Sequence, residues 1–383
     1  MKITVALDAL RDALTITRPA VASKTALPIL ACTLLEADGS TLRVAATNLT
    51  IGIATTVAAE ITEPGWVAVD AGSLREFVAT LTGDRVSLTL DPQSLRLTVS
   101  CGHDTARMSG INGDDFPRLP EAGATGTTVT FAPDTIRDAV RLLPMAVATN
   151  DSRPILTGVG LTVKGNNAVW GASDGFRMAS LECDVEASGD LATVIPAAAL
   201  RALEPIVAET EDAVTITATE NGNQLVAEIG ATRWSSRVID GTYPDVVKIA
   251  PRTFSTTIEV QAAALQRAMR QANIFAREND QQKSKVVRLG IAAGPDDLTP
   301  GSLTVEASSA ENHGAMEAVL PCAQDGADLA ILLNGPYMVD YLAAVKQGTV
   351  TLHANEPNNP VVLRTPATPR YQYIVMPMVI GGA

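Results

Sequence analysis

The sequence predicts an α+β fold built from three copies of one unit, each made of two similar halves. Leu10-Arg-Asp-Ala-Leu14 aligns with Ile136-Arg-Asp-Ala-Val140 at an offset of 136 − 10 = 126, and Leu265-Gln-Arg-Ala-Met269 follows at 265 − 136 = 129. Within a copy, Leu74-Arg-Glu-Phe-Val78 lies 74 − 10 = 64 residues after its partner segment, as Leu200-Arg-Ala-Leu-Glu204 does at 200 − 136 = 64. Self-similarity at a fixed period is the signature of a repeat architecture.

The first half of each copy is predicted to be a helix that leads into a hairpin. In the second copy, apolar residues at helical spacing predict a helix from Asp134 to Ala148, with Asp134 as its N-cap. A strand from Ile155 to Val163, a turn at Gly165-Asn-Asn167 and a strand from Ala168 to Ala172 follow.

The second half is predicted to be a strand, a helix and a run of strands. The strand and helix occupy Gly65 to Leu81, Ala192 to Ala208 and Asp328 to Val345. Alternating apolar residues predict strands at Val86–Leu90, Leu95–Ser100 and Asp104–Ser109. In the third copy the second helix, with Met338, comes 338 − 265 = 73 residues after the first, and we place the extra 73 − 64 = 9 residues in the loop at 294–301.

The repeat predicts three domains, at residues 1–120, 128–250 and 251–380. A Gly/Ala/Thr-rich linker at 121–127 separates the first two, and Pro117 and Pro244 end equivalent segments, 244 − 117 = 127 residues apart. Three matching domains in a row describe an arc, which either stays open or closes on a second copy of the chain. A head-to-tail dimer would give a closed ring.

Composition limits the function classes. The net charge of −13 argues against nucleic acid, yet the six predicted helices with their flanks carry 11 − 9 = +2, so the rest is strongly acidic. If the helices share one face, that face is mildly basic; ordinary solvated helix surface is the alternative. The four cysteines are far apart and fit buried apolar positions, and we expect no metal and no cofactor. The first strand starts at the N-terminus without a signal-peptide pattern, which predicts a cytoplasmic protein.

Five motifs in order resemble the bacterial DNA polymerase III β subunit family, the sliding clamps. They are Thr25-Ala-Leu-Pro-Ile-Leu30, Arg153-Pro-Ile-Leu-Thr-Gly158, Ser173-Asp-Gly-Phe-Arg-Met178, Ile239-Asp-Gly-Thr-Tyr-Pro-Asp245 and Tyr373-Ile-Val-Met-Pro-Met378. The resemblance covers essentially the whole chain. It implies a processivity factor of DNA replication without chemistry of its own: a head-to-tail homodimeric ring that encloses double-stranded DNA without sequence specificity, with helices lining the hole. Its implied partners are the replicative polymerase, the clamp loader and repair proteins, bound through short linear peptides.

The resemblance also implies a peptide-binding site, called the partner pocket below. Its residues are Leu156, Ser173, Gly175, Phe176, Met178, Pro244, Lys248, Ile249, Pro360, Ile374, Val375, Met376, Pro377 and Met378. Methionine and β-branched side chains suit an adaptable apolar groove. Phe176 and Lys248 stand where the family commonly has His and Arg, and the family's usual C-terminal Arg-Leu is replaced by Val379-Ile380 and Gly-Gly-Ala383.

DNA and subunit contacts are implied in the same way. The DNA contacts map onto Lys24, Asn150 and Arg153; Lys283 and Lys285, in the matching turn of the third copy, and the helix cations Arg137 and Arg201 extend this set. The subunit contact maps onto Ile274 and Phe275 of the third domain against Ala106, Met108 and Ile111 of the first.

The sequence does not favour an enzyme, and two other functions remain open. An enzyme would need convergent catalytic groups, whereas Gly158-x-Gly160 is an incomplete phosphate loop and Asp114-Asp115 and Asp296-Asp297 are typical turn acids. A monomeric repeat scaffold could bind proteins only. A specialised or antibiotic-tolerant second clamp is the remaining alternative.

Overall fold

The computed structural model describes residues 1–123, 126–150, 152–276, 278–279, 284–296, 299–309 and 314–378. Clustering of contacts divides the chain into two compact units. The first unit comprises Met1–Arg137, Val163–Asn166 and Val185–Asp240, and the second comprises Asp138–Thr162, Asn167–Asp184 and Gly241–Ala383. Each is described by itself.

The first copy of the repeat has eight strands and two helices. In chain order they are β1 (Lys2–Ala6), α1 (Leu7–Thr17), β2 (Cys32–Asp38), β3 (Thr41–Thr47), β4 (Ile51–Glu63), β5 (Gly65–Asp70), α2 (Ala71–Thr80), β6 (Arg85–Asp91), β7 (Arg96–Cys101) and β8 (Asp104–Asn112). The run of β6, β7 and β8 confirms the three predicted strands, except that Leu95 has a positive φ of 51° and belongs to the turn.

The second copy repeats this order with an interrupted second helix. Its elements are β9 (Thr127–Phe131), α3 (Pro133–Leu142), β10 (Gly158–Lys164), β11 (Asn167–Ser173), β12 (Arg177–Asp184), β13 (Glu186–Ala187), β14 (Leu191–Pro196), α4 (Ala197–Arg201), α5 (Glu204–Val207), β15 (Val214–Ala218), β16 (Gln224–Ile229) and β17 (Thr232–Arg237).

The third copy has the same order again. Its elements are β18 (Thr256–Gln261), α6 (Ala262–Phe275), β19 (Glu278–Asn279), β20 (Ser284–Ala292), β21 (Gly301–Ser309), β22 (Gly314–Gly326), β23 (Leu329–Asn334), α7 (Gly335–Val345), β24 (Thr349–Ala354), β25 (Val361–Arg364) and β26 (Tyr371–Val375). The α+β class and the threefold repeat are therefore confirmed. The loop between β20 and β21 has eight residues where β2 and β3 are joined by two, which places most of the predicted insertion at 293–300.

Four local predictions in the second copy are wrong. Asp134 is not the N-cap, because α3 already begins at Pro133, and the helix ends at Leu142 rather than Ala148. A proline follows two residues later and cannot donate a backbone hydrogen bond to the preceding turn. Residues 154–157 form a 3₁₀ turn instead of the start of a strand. Pro205, in the first turn of α5, likewise cannot donate to the turn before it, and α4 ends at Arg201 where one continuous helix was expected.

Strand pairing in the first copy closes on itself. β1 pairs with both β4 and β6, and the path β6-β7-β8-β5-β2-β3-β4 joins the two ends. α1 and α2 cover the apolar interior of this arrangement with Leu10, Leu14, Leu74 and Val78. In the third copy β18 pairs with β22 and β24 in the same way.

Arg11 and Arg137 make equivalent hydrogen bonds in the first and second copies of the repeat. The Arg11 guanidinium donates to the carbonyl oxygens of Val78 and Leu81, at the end of α2. Arg137, 137 − 11 = 126 residues later, donates to the carbonyl oxygens of Val207 (3.0 Å) and Thr210 (2.7 Å). These bonds satisfy carbonyls that a helix end leaves without partners.

The four cysteines are buried and free, as predicted for small apolar side chains. Burial raises the pKa of Cys183 to about 11. Its thiol therefore stays protonated at neutral pH.

Candidate functional site: a partner pocket in the second unit

The residues assigned to the partner pocket all belong to the second unit. Most of them come from three places: the turn between β11 and β12 with its flanking residues, the segment 241–250 after β17, and the end of β26 with the residues that follow it. Leu156 lies in the 3₁₀ turn at 154–157, and Pro360 lies just before β25. Antiparallel pairing of β12 with β26 brings the first and the last together, with Met178 opposite Ile374 and Arg177 opposite Val375.

A tightly bonded turn presents Phe176 to solvent. The Ser173 hydroxyl donates to the carbonyl oxygen of Arg177 (2.9 Å), and a carboxylate oxygen of Asp174 accepts from the N–H groups of Phe176 and Arg177 (both 2.9 Å). Gly175 has φ +94°, a conformation that favours glycine. The Phe176 side chain is left 53% exposed.

A small apolar cluster, called the floor below, lies among the residues assigned to the partner pocket. Met178 and Ile374 are buried beside each other, and Val246 and Val362 pack with them. At the rim, the N–H of Met376 donates to the carbonyl oxygen of Phe176 (2.9 Å), and the Met376 side chain is exposed.

The segment 241–250 is held against this floor. The Tyr243 hydroxyl accepts from the N–H of Ser173 (2.8 Å), and a Cβ at Gly160 would lie 2.5 Å from the Tyr243 ring, so only glycine permits that approach. Burial raises the pKa of Tyr243 to about 12, which keeps the hydroxyl protonated. The segment leaves Ile249 55% exposed on the rim.

The other pocket residues divide between rim and core. Pro244 and Lys248 are exposed, and the Lys248 ammonium pairs with Asp245 (3.0 Å). Leu156 and Val375 are buried, so their side chains offer little surface to a peptide. Pro360, Pro377 and Met378 are half-buried, and the N–H of Met378 donates to the carbonyl oxygen of Leu332 (2.8 Å). The altered tail at 379–383 lies outside the described residues.

Arg177 was not assigned to the site from the sequence, although it lies inside a quoted motif. Its guanidinium pairs with Asp174 (3.0 Å) and Asp340 (2.7 Å) and lies 4.1 Å from the centre of the Tyr337 ring. Burial acts to lower the pKa of Arg177, but Tyr373 and the carboxylates outweigh it and raise the pKa. Arg177 thus fixes the turn that carries Phe176 to α7, a long-range contact that no local pattern indicates.

Three of the assigned DNA contacts lie in exposed turns. Lys24 precedes the 3₁₀ turn Pro28–Ala31, and Asn150 and Arg153 precede the equivalent turn Pro154–Thr157. Lys24 and Asn150 correspond at 150 − 24 = 126. All three side chains are exposed.

Three of the remaining assigned cations, Arg137, Arg201 and Lys285, have partners within the chain. Arg137 holds the segment after α5, as described, and the ammonium group of Lys285 donates to the carbonyl oxygen of Asn273 near the end of α6 (2.7 Å). Arg201 is exposed but also interacts within the chain. Lys283 lies outside the described residues. A DNA contact at Arg137 or Lys285 would have to compete with these bonds.

The assigned subunit contacts differ in exposure. Ile274 is 66% exposed at the end of α6, and the neighbouring Phe275 is half-buried. Ala106, Met108 and Ile111 lie on β8 and are half-buried, and Met108 and Ile111 pack partly against the core of the first unit.

Neither a membrane span nor a metal site emerges from the described residues. None of the helices there is long and apolar enough to cross a membrane. No group of three or more His, Cys, Asp or Glu side chains in the same part of the chain is arranged to hold a metal ion.

Comparison with known proteins identifies the fold. The solved structure of the Bacillus subtilis DNA polymerase sliding clamp matches with a TM-score of 0.86 at 24% identity, covering 100% of both chains. That of a DNA polymerase III beta subunit from Thermotoga maritima also matches with a TM-score of 0.86, at 23% identity, covering 99% of this chain and 100% of the other.

Sequence comparison agrees over the full length. A beta sliding clamp of a Synechocystis species is 28% identical and one of Bacillus subtilis is 26% identical, each match covering 99% of both chains. Family models for the N-terminal, central and C-terminal domains of the DNA polymerase III beta subunit match residues 1–120, 130–245 and 247–379. The chain therefore belongs to the DNA polymerase III beta subunit family, the sliding clamps that act as processivity factors in DNA replication.

Proposed function

We propose that two copies of this chain pair head to tail into a ring that encloses duplex DNA and tethers the replicative polymerase. The observation that carries the proposal is a strand pairing that occurs twice in the chain. The last strand of the second copy, β17, pairs with β4 of the first, and the last strand of the third copy, β26, pairs with β12 of the second.

Two strand edges that could make the same kind of pairing lack a partner in the described part of the chain. β8, the last strand of the first copy, pairs with β7 along Asp104–Ser109, and no other strand in the described part of the chain pairs with β8 there. β22, the strand equivalent to β4 and β12, pairs with β21 along Gly314–Cys322 and has its other edge free among the described residues. Free strand edges are templates for pairing with another chain. β8 of one protomer on β22 of its partner would repeat the pairing and close a symmetric dimer.

Such a ring would stay on DNA because it encircles the duplex, and not because it binds the duplex tightly. A helix charge of 11 − 9 = +2 releases few counterions, so direct binding to duplex DNA would be weak. Lys24, Asn150 and Arg153, in equivalent exposed turns, are suited to phosphate contacts without base reading.

The partner pocket would receive short peptides of the polymerase, the clamp loader and repair proteins. Three exposed apolar side chains, Phe176, Ile249 and Met376, surround a buried apolar floor. Such a surface fits partners that share a few apolar anchors. Domain boundaries at 1–120, 128–250 and 251–380, a cytoplasmic location and the absence of catalysis by this chain belong to the same proposal.

The experiment is a solution mass combined with retention on DNA. Light scattering at micromolar concentration should give twice the chain mass of 40.0 kDa. Protein loaded by a clamp loader should remain on nicked circular DNA and leave when the circle is linearised. A 40.0 kDa particle that ignores DNA topology would instead identify a protein-binding scaffold.

Charge reversal in the exposed turns should impair loading. Lys24→Glu with Arg153→Glu replaces two phosphate-attracting side chains by repelling ones, while neither residue forms an ion pair in the described chain. We expect the dimer to persist and the loaded fraction to fall several-fold, more steeply at higher salt. The matched control is Lys164→Glu with Arg252→Glu, which reverses two exposed cations elsewhere. Equal loading by both double variants would remove Lys24 and Arg153 from the DNA contact.

A further inference from the structure

The first unit contains a second version of the turn that carries Phe176 in the partner pocket. In the turn at 47–51, the Thr47 hydroxyl donates to the carbonyl oxygen of Ile51 (2.9 Å). The carboxamide oxygen of Asn48 accepts from the N–H groups of Thr50 and Ile51 (3.0 and 2.8 Å). The turn at 173–177 makes the same three bonds at an offset of 173 − 47 = 126.

The strand beside the turn is also equivalent. β17 pairs with β4 so that Ser236 lies opposite Ile51, as Val375 lies opposite Arg177 in the second unit. The N–H of Arg237 donates to the carbonyl oxygen of Thr50 (2.8 Å), which matches the bond from Met376 to Phe176. Arg237 therefore occupies the position that Met376 has on the rim of the partner pocket.

A small surface cleft is present at this place. It has a volume of about 100 Å³ and lies between the turn, the end of β17 and the segment 117–120 that follows β8. Leu119 closes its floor: a Cβ at Gly52 would lie 2.7 Å from the Leu119 side chain. The cleft, called the first-unit cleft below, has room for one aliphatic side chain.

The charge of this cleft differs from that of the partner pocket. Arg237 replaces a methionine, and Arg118 stands at the position of Asp245, at an offset of 245 − 118 = 127. In the described part of the chain neither guanidinium has a carboxylate oxygen within 4.0 Å, although both arginines are exposed at the cleft. Unpaired guanidinium groups are suited to bidentate pairing with carboxylates.

Leu49 points to a binding role for the turn itself. It has φ +71°, whereas the equivalent residue of the second unit is Gly175, at φ +94°. A leucine in this conformation is strained, and its side chain is 47% exposed, so it gains little from burial. Strained residues persist at sites where function retains them. An apolar side chain at the mouth of the cleft would gain its contact only when a ligand covers it.

We propose that the first-unit cleft binds a short acidic peptide of a protein partner. Its carboxylates would pair with Arg118 and Arg237, and one aliphatic side chain would enter the cleft beside Leu49. The inference rests on the proposed function, because the partner pocket supplies the reference for a peptide site. The first-unit cleft would be a second peptide site on the same chain, and it would select an acidic motif in place of the apolar motif that the partner pocket would bind.

The probe is the fluorescein-labelled peptide Glu-Asp-Leu-Asp-Glu, titrated with the full-length chain by fluorescence anisotropy. Arg118→Glu with Arg237→Glu should weaken its binding at least about tenfold, since two charge-assisted pairs are replaced by repulsion. Leu49→Gly should weaken it while leaving the thermal transition unchanged or raised, because glycine relieves the turn. Lys164→Glu with Arg252→Glu, which makes the same net change in charge, should have little effect.

Four results would overturn the proposal. The first is failure of the wild type to bind the acidic peptide. The second and third are that the Arg118/Arg237 variant, or a peptide with serine in place of leucine, binds as tightly as the original pair. The fourth is displacement of the peptide by a short duplex DNA of equal charge, which would identify a phosphate contact. A second peptide, with a glutamine and a Leu-Phe end, separates this proposal from the partner pocket. It should bind the Arg118/Arg237 variant normally, and its failure on the wild type would count against the pocket alone.

Discussion

A chain carrying Ile274→Glu and Phe275→Glu is expected to behave as a 40.0 kDa monomer at concentrations where the wild type is dimeric. Ile274 is 66% exposed and Phe275 half-buried at the end of α6, so both can be covered further by a partner. Burying such a side chain contributes about 1.5–3 kcal/mol. A ring has two subunit contacts and therefore four of these side chains, so even at the lower value their loss amounts to about 6 kcal/mol, or about four orders of magnitude in dimer Kd.

The chain offers a closely matched control for this variant. Phe176 and Ile249 are the same two residue types, 53% and 55% exposed in the partner pocket. Phe176→Glu with Ile249→Glu makes the same chemical change and should leave the dimer intact. Sedimentation velocity of both variants decides the point: a dimeric Ile274/Phe275 variant would place the subunit contact elsewhere on the chain.

Much of the fold could be predicted because each copy of the repeat has the same local spacing of apolar residues. Helical and alternating apolar spacing recurs at fixed offsets, and the structure shows the same element order three times. The errors fall where one residue interrupts the pattern. Pro205 begins a new helix, α5, instead of continuing α4, and the proline that follows α3 ends that helix early, although the apolar spacing continues in both places.

The site was less accessible to sequence reasoning, because its contacts join distant segments. Arg177 pairs with Asp340, 340 − 177 = 163 residues away, and no periodicity links the two. Arg137 was assigned to DNA as a helix cation and Lys285 as a cation of the equivalent turn, whereas the structure shows both side chains donating to backbone carbonyls. The strain at Leu49 and the likeness of the turn at 47–51 to that at 173–177 appear only in backbone angles and hydrogen bonds.

The Phe176→Glu, Ile249→Glu variant should lose partner peptides altogether. Both side chains stand on the rim above the floor of Met178 and Ile374, where an apolar peptide end would cover them. Two lost apolar contacts of about 2 kcal/mol each reduce affinity about a thousandfold, and the new carboxylates would be desolvated by the peptide. A micromolar peptide with a glutamine and a Leu-Phe end would then show no heat in a calorimetric titration.

A truncation that removes all residues from Met376 onward tests the same pocket, but its effect on peptide binding is mixed with an effect on stability. The truncation deletes the rim, but it also breaks the backbone bonds from Met376 to Phe176 and from Met378 to Leu332, so some loss of thermal stability should accompany the loss of peptide. The double substitution avoids this, since both side chains are more than half exposed. The melting transition of the Phe176/Ile249 variant should therefore match that of the wild type, and this variant should remain dimeric. The monomeric Ile274/Phe275 variant should still bind the peptide. Wild-type affinity in the Phe176/Ile249 variant would show that partner peptides bind elsewhere, because no peptide anchored on this floor could avoid both carboxylates.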